Sequence, residues 1–128
     1  MSDVDTNNLF FIYGTLKKSG NNHHIIERFA HFRGEVQTVF KYPMYDIGDG
    51  FPYLQDSRCD GNLVIGELYE IPEKYHDRLD YFEGVPTLYK KGLIEVLTKD
   101  AEMYMVNAYF VSNEIDFTKL KLIKEWHV

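Results

Sequence analysis

The chain holds a single cysteine, Cys59, so no disulfide can close within it, and a reducing cytosol is the expected setting. No uncharged stretch approaches the ~18 apolar residues that a membrane-spanning helix needs. Residues Met1 to Asn8 are polar and acidic, without the basic and apolar regions of a secretory signal. Positive charge is scarce as well: 14 Lys+Arg against 20 Asp+Glu leave a net charge of −6. Its only basic pairs are Lys17-Lys18 and Lys90-Lys91, too short a track to displace counterions along a polyanion. The expectation is therefore a cytoplasmic protein with no nucleic-acid and no membrane partner. Internal repeats, low-complexity tracts and Pro/Gly/Ser-rich linkers are absent too, so residues 1–128 are expected to form one domain.

Aromatic side chains are plentiful, with 9 Phe, 10 Tyr and 1 Trp, which favours strands first and pocket walls second. The run Leu9-Phe10-Phe11-Ile12-Tyr13 is apolar throughout, as in a strand buried on both faces. Asn21 or Asn22 is placed to cap a short helix reaching Phe32, with Ile25, Phe29 and Phe32 at helical spacing. Val36, Thr38, Phe40 and Tyr42 alternate with period two, predicting a half-buried strand over Gly34 to Tyr42. Turns with short strands follow over Pro43 to Asp60. Another strand runs from Leu63 to Ile71, with Gly66 as a bulge or a point of close approach.

Pro72 stands where helices begin, and Tyr75, Leu79 and Phe82 would give the next helix one apolar face. Gly84 stops that helix and Pro86 keeps it from resuming. Leu88 to Thr98 and Met103 to Val111 read as strands joined by a turn at Lys99-Asp100. The stretch from Phe117 to Val128 reads equally as a short helix or an extended tail. Strands dominate, and an α+β domain on a small mixed barrel with short helices packed on it fits best.

Two segments carry chemistry. In Tyr13-Gly14-Thr15-Leu16 a glycine directly follows a buried strand, and its backbone freedom would let successive N–H groups converge on an anion or carbonyl oxygen. Taken alone, an ordinary strand-ending turn has the same sequence. The second Gly and the Lys-Ser/Thr of a Walker loop are missing. In Asp80-Tyr81-Phe82-Glu83-Gly84 a glutamate sits at the negative end of a helix dipole, one turn after another carboxylate and beside apolar Phe82, Val85 and Leu88. Dipole, like charge and desolvation would all raise its pKa, as a general base near neutrality requires. A solvated glutamate at a helix end is the plainer alternative. His23, His24 and His31 lack the spacing of a metal site, and Cys59 has no adjacent base. Nothing resembles a Gly-x-Ser-x-Gly elbow or a dinucleotide fingerprint.

In order, Phe11-Ile12-Tyr13-Gly14-Thr15-Leu16-Lys17, Asn22-His23, Tyr42-Pro43, Ile47-Gly48 with Pro52, Gly66-Glu67-Leu68-Tyr69, and Leu79-Asp80-Tyr81-Phe82-Glu83-Gly84 with Pro86 and Leu88-Tyr89 form a set. That set resembles the γ-glutamyl cyclotransferase superfamily, in particular its γ-glutamylamine cyclotransferase and avirulence-induced-gene-like branch, over roughly Leu9 to Tyr109. The resemblance implies a small β-barrel with packed helices. It also implies conversion of a γ-glutamyl amide to 5-oxoproline with release of a free amine, with neither metal nor other cofactor. The family's catalytic glutamate falls on Glu83, its substrate-binding loop on Tyr13, Gly14, Thr15 and Leu16, and its aromatic pocket residues on Tyr89 and Tyr109. Thr15-Leu16 separates the chain from the branch with Ser-Asn after Tyr-Gly, which acts on γ-glutamyl amino acids. Two alternatives in function class stand beside it: a module of this fold that senses 5-oxoproline or a γ-glutamyl metabolite without turnover, and a barrel that docks proteins. The expected partner is a small γ-glutamyl molecule. No heptad or apolar stripe announces a second subunit, so a monomer is expected, with a homodimer as the alternative.

Overall fold

The computed structural model describes residues 6–46, 51–111 and 120–126. In chain order the strands are β1 (Leu9–Ile12), β2 (His31–Tyr42), β3 (Met44–Asp46), β4 (Pro52–Leu54), β5 (Asn62–Glu70), β6 (Tyr89–Thr98), β7 (Met103–Val111) and β8 (Lys121–Ile123). One α-helix, α1 (His76–Glu83), and short 3₁₀ turns at Thr6–Asn8, His23–Ile25 and Glu73–Tyr75 complete the described elements. Five strands close into a barrel in the order β1-β5-β2-β6-β7, while β4, β3 and β8 form a small separate sheet.

The barrel is mixed because β1 meets β7 in parallel, at Phe10 and Asn107, whereas its other strand pairs are antiparallel. That seam is short, and side chains reinforce it. Asn107 Nδ2 donates to the carbonyls of Asn7 and Leu9 at 2.8 and 3.1 Å. The apolar character of β1 has a direct cause. Leu9, Phe11 and Tyr13 point into the barrel core with Val36, Val64 and Phe110, and Phe10 and Ile12 point outward into a second core. That second core contains Leu16, Ile26, Tyr69, Leu79, Tyr89 and Tyr109. Each strand alternation thus serves two cores, so neither face of β1 can be polar.

The strand periodicities hold. Val36, Thr38 and Tyr42 are buried as their period-two spacing predicts, and the strand begins earlier than expected, at His31. At Gly66 the glycine answers a close approach: an added Cβ would stand 2.6 Å from Phe11 Cε1 and 2.8 Å from the Ile12 carbonyl. The irregular register lies instead in β2, between Phe32 and Gly34 and between Gln37 and Lys41.

Two helix expectations need correction. The segment after Asn22 makes a 3₁₀ turn over His23–Ile25 and further turns to Phe29, and Phe32 belongs to β2. There Phe32 lies opposite Tyr69 with ring centroids 5.4 Å apart, a cross-strand pair that a helix through the same residue would forgo. Asn22 makes no side-chain cap bond. In α1, Leu79 is buried but Phe82 is 38% exposed, so the apolar face is narrower than its i, i+4, i+7 spacing suggested. Of the stretch from Phe117 to Val128, residues 117–119 and 127–128 lie outside the described residues; within the rest, β8 is extended and pairs with β3 through Met44–Ile123, Tyr45–Leu122 and Asp46–Lys121. Among the described residues no helix is long and apolar enough to cross a membrane.

Candidate active site

Where β1 ends, the chain turns through Tyr13, Gly14, Thr15 and Leu16 along one side of a small open cleft. Glu83 reaches the cleft from the end of α1, Tyr89 from the start of β6, and Tyr109 from near the end of β7. All seven residues singled out from the sequence therefore line one cavity. Phe11, Ile12, Phe51 and Pro52 complete its wall.

The loop is held by its carbonyls. Lys17 N–H donates to the Gly14 carbonyl at 3.0 Å, and Asn22 N–H to the Thr15 carbonyl at 2.9 Å. His23 Nδ1 donates to the Leu16 carbonyl at 2.8 Å, and Asn22 Nδ2 to Thr15 Oγ1 at 3.0 Å. The N–H groups of Gly14, Thr15 and Leu16 donate to no backbone carbonyl among the described residues. Such donors suit an anionic or carbonyl oxygen. Gly14 answers a tight approach rather than an unusual φ. It is not among the glycines at positive φ, and a Cβ there would meet Pro52 Cδ at 3.1 Å.

Gly84 does adopt the left-handed conformation, φ 70°, and ends α1 by sending its N–H to the Tyr81 carbonyl while Val85 N–H reaches the Asp80 carbonyl. This is a Schellman closure. It turns the chain sharply after Glu83 and leaves that side chain over the cleft. Burial pushes the Glu83 carboxyl from 4.5 up to about 7. Of the three causes expected from the sequence, desolvation is the one that acts. The Asp80 carboxylate is engaged elsewhere, accepting from Tyr109 OH at 2.5 Å and from Lys91 Nζ at 3.1 Å.

The tyrosines have their hydroxyl protons committed. Tyr13 OH donates to the Tyr109 carbonyl at 2.5 Å, Tyr89 OH to the Pro52 carbonyl at 3.0 Å, and Tyr109 OH to Asp80. Burial raises all three hydroxyl pKa values, and the charge of Glu83 adds to each. Sequence reasoning treated Asp80 only as a like charge near Glu83 and did not find its bond to Tyr109. A separation of 29 residues leaves no local signal for such a pair. Cys59 is exposed, and no cluster of three or more His, Cys, Asp or Glu suited to a metal occurs among the described residues.

The profile of the family described as γ-glutamyl cyclotransferase, AIG2-like, matches residues 10–127. The chain belongs to this family. Within it, the human γ-glutamylaminecyclotransferase is 37% identical over 93 residues, covering 69% of this chain and 61% of that protein. The chain thus spans less than two thirds of that relative's length. A putative γ-glutamylcyclotransferase of Drosophila melanogaster is 31% identical over 109 residues, 80% of this chain and 69% of that one. The crystal structure of a mouse AIG2-like protein superposes with a TM-score of 0.86 at 26% identity, covering 96% of this chain and 90% of the mouse chain. The cyclotransferase family match includes the extended C-terminal strand, beyond the Leu9 to Tyr109 span of the motifs.

Proposed function

We propose that this protein is a γ-glutamyl cyclotransferase acting on a γ-glutamylamine or related γ-glutamyl amide, with Glu83 as its catalytic residue. The observation that carries the reading is the Glu83 carboxyl, raised to about 7 by burial, sharing a cleft with the Gly14, Thr15 and Leu16 N–H groups, which donate to no backbone carbonyl among the described residues. The relatives named as γ-glutamylaminecyclotransferases support the substrate class.

The reaction asks two things of such a cleft. The substrate's α-ammonium must lose a proton, so that its nitrogen can attack the γ-carbonyl carbon and form the new C–N bond. As the old amide C–N bond breaks, the departing amine must gain protons. One carboxyl titrating near neutrality can take a proton from the first nitrogen and hand it to the second. A second proton leaves the ring nitrogen as the lactam forms and ends on the released amine, so 5-oxoproline and a protonated amine balance the starting zwitterion. Backbone N–H groups of Gly14, Thr15 and Leu16 are placed to hold substrate oxygens, including charge that develops on the carbonyl. Because attack is intramolecular, holding the glutamyl chain bent removes most of the entropic cost of bringing the reacting atoms together.

The test incubates the protein with γ-glutamyl-ε-lysine, simple γ-glutamylamines, γ-glutamyl amino acids and glutathione, following 5-oxoproline by mass spectrometry beside Glu83→Gln. Release from one class, lost in a folded Glu83→Gln protein, is the expected outcome. Full activity in the variant would overturn the role of Glu83. Tight 5-oxoproline binding with no turnover of any amide would instead identify a sensor.

A further inference from the structure

Glu83 makes no side-chain hydrogen bond to another described residue, so something else must decide where its carboxyl stands. Three residues earlier on α1, Asp80 has partners on every side. Its carbonyl accepts the Val85 N–H that closes the helix, its Oδ1 accepts Tyr109 OH from β7 at 2.5 Å, and its Oδ2 accepts Lys91 Nζ from β6 at 3.1 Å. Lys91 and Tyr109 face each other in the β6–β7 register, so the two bonds seize one point of the hairpin. The pair is only partly exposed, 25% for Asp80 and 31% for Lys91, and lies beside the buried Phe10 ring, 5.9 Å from Lys91 Nζ.

We propose that Asp80 is the positioning residue of this cleft: its carboxylate pins the last turn of α1 to the β6–β7 hairpin, and so fixes the Glu83 carboxyl and turns the Tyr109 hydroxyl proton away from the substrate. The proposal rests on the reading of Glu83 as the catalytic carboxyl. With its proton committed to Asp80, the Tyr109 oxygen presents lone pairs to the cleft and serves as an acceptor. An acceptor beside Glu83 suits a substrate ammonium, whereas a free hydroxyl would donate to Glu83 and hold it in its charged form. The charged and titratable groups near Glu83 are Tyr13 from the end of β1, Tyr89 from β6, Tyr109 from β7 and Asp80 on its own helix, with Lys91 behind Asp80.

The experiment compares Asp80→Ala with Asp80→Asn, each alone and combined with Tyr109→Phe. Both substitutions remove the same charge, but the Asn side-chain oxygen still accepts the Tyr109 hydroxyl. Two quantities are read: kcat and KM for 5-oxoproline release, and the midpoint of the Glu83 carboxyl by ¹³C NMR titration. A misplacement of about 1 Å costs on the order of 10²-fold, so Asp80→Ala is expected to lower kcat by about that factor with a smaller change in KM. Its Glu83 midpoint should fall from about 7 toward the ordinary carboxylate value as water reaches the carboxyl. Asp80→Asn should recover much of both, and with Tyr109→Phe present the Ala and Asn proteins should behave alike. Equal effects of Ala and Asn in the wild-type background would show that only charge matters and would overturn the proposal. Should Asp80→Ala fail to fold, Tyr109→Phe severs one of the two bonds and Tyr109→Phe with Lys91→Met severs both; an unmoved midpoint in that double variant also overturns it. The titration needs no substrate, so a wild-type protein inactive on every amide would count against the cyclotransferase reading alone.

Discussion

The hydroxyl of Tyr13 donates a 2.5 Å hydrogen bond to the main-chain carbonyl of Tyr109, joining the end of β1 to β7 across 96 residues of sequence. This bond lies along the only parallel seam of the described barrel, and it ties the substrate-loop candidate to one of the aromatic walls. One contact therefore supports both closure of the barrel and the shape of the cleft.

Replacing Tyr13 by Phe keeps the ring in the core but leaves the Tyr109 carbonyl without that donor. Losing one partner of a buried hydrogen bond costs about 1–3 kcal/mol. Tyr13→Phe should fold with a lowered Tm, and amide exchange should quicken in Leu9–Ile12 before it does in β6. An unchanged Tm would show the bond to be energetically idle.

The raised pKa of Glu83 has a definite sign in stability. Between 4.5 and about 7 the unfolded chain has already lost a proton that the folded protein keeps, so unfolding becomes easier as pH rises through that window. Below 4.5 both states are protonated and the penalty is absent. Glu83→Gln should thus gain in stability relative to wild type from pH 4.5 to 7, by a few kcal/mol at most at about 1.4 kcal/mol per unit, with no widening beyond. Paired thermal melts across this range check it. The same ionisation predicts that kcat/KM rises with pH through about 7, because the general base must be charged to accept a proton.

Gly66 leaves no room for a methyl group against Phe11 and the Ile12 carbonyl. Gly66→Ala should push β1 and β5 apart and cost about 1–3 kcal/mol, the usual scale of overpacking. Denaturant melts measure the loss, and a neutral result would mean that the Phe11 ring moves aside freely.

Lys17 is buried, donates to the Trp126 carbonyl at 2.7 Å and lies 4.0 Å from a Glu125 carboxylate oxygen. It clasps the C-terminal strand segment to the loop that lines the cleft. Lys17→Met fills similar space without the donor. A hydrogen bond from a charged group is worth about 1.5–3 kcal/mol, so the variant should lose stability on that scale and expose Lys121–Ile123 to faster exchange. Equal exchange there in both proteins would count against the clasp.

Local pattern made much of this molecule legible. The continuous apolar run in β1, the alternation in β2, the stop at Gly84 and the turn between β6 and β7 all follow from constraints within a few residues. Glu83 was legible for the same reason, as a carboxylate at a helix end with apolar neighbours. The helix expected through Phe32 failed because its spacing fits two structures, and the partner that decides between them, Tyr69, is far along the chain. The Gly14 position shows the same limit: a glycine's local freedom is visible in the sequence, whereas the Pro52 ring that would stand 3.1 Å from a Cβ there is not.

Strand-rich composition, the periodicities and the helix stop are written locally in the chain, and the ordered motifs pointed to the residues expected at one site. Closure of the barrel is what brings Tyr13, Glu83, Tyr89 and Tyr109 to one cleft and sets the Asp80 carboxylate against Tyr109 and Lys91 rather than against Glu83. Periodicity is set by the backbone geometry of each element and can be read locally. Desolvation and hydrogen-bond partnership depend on which distant segments exclude water together, and that is settled when the chain closes.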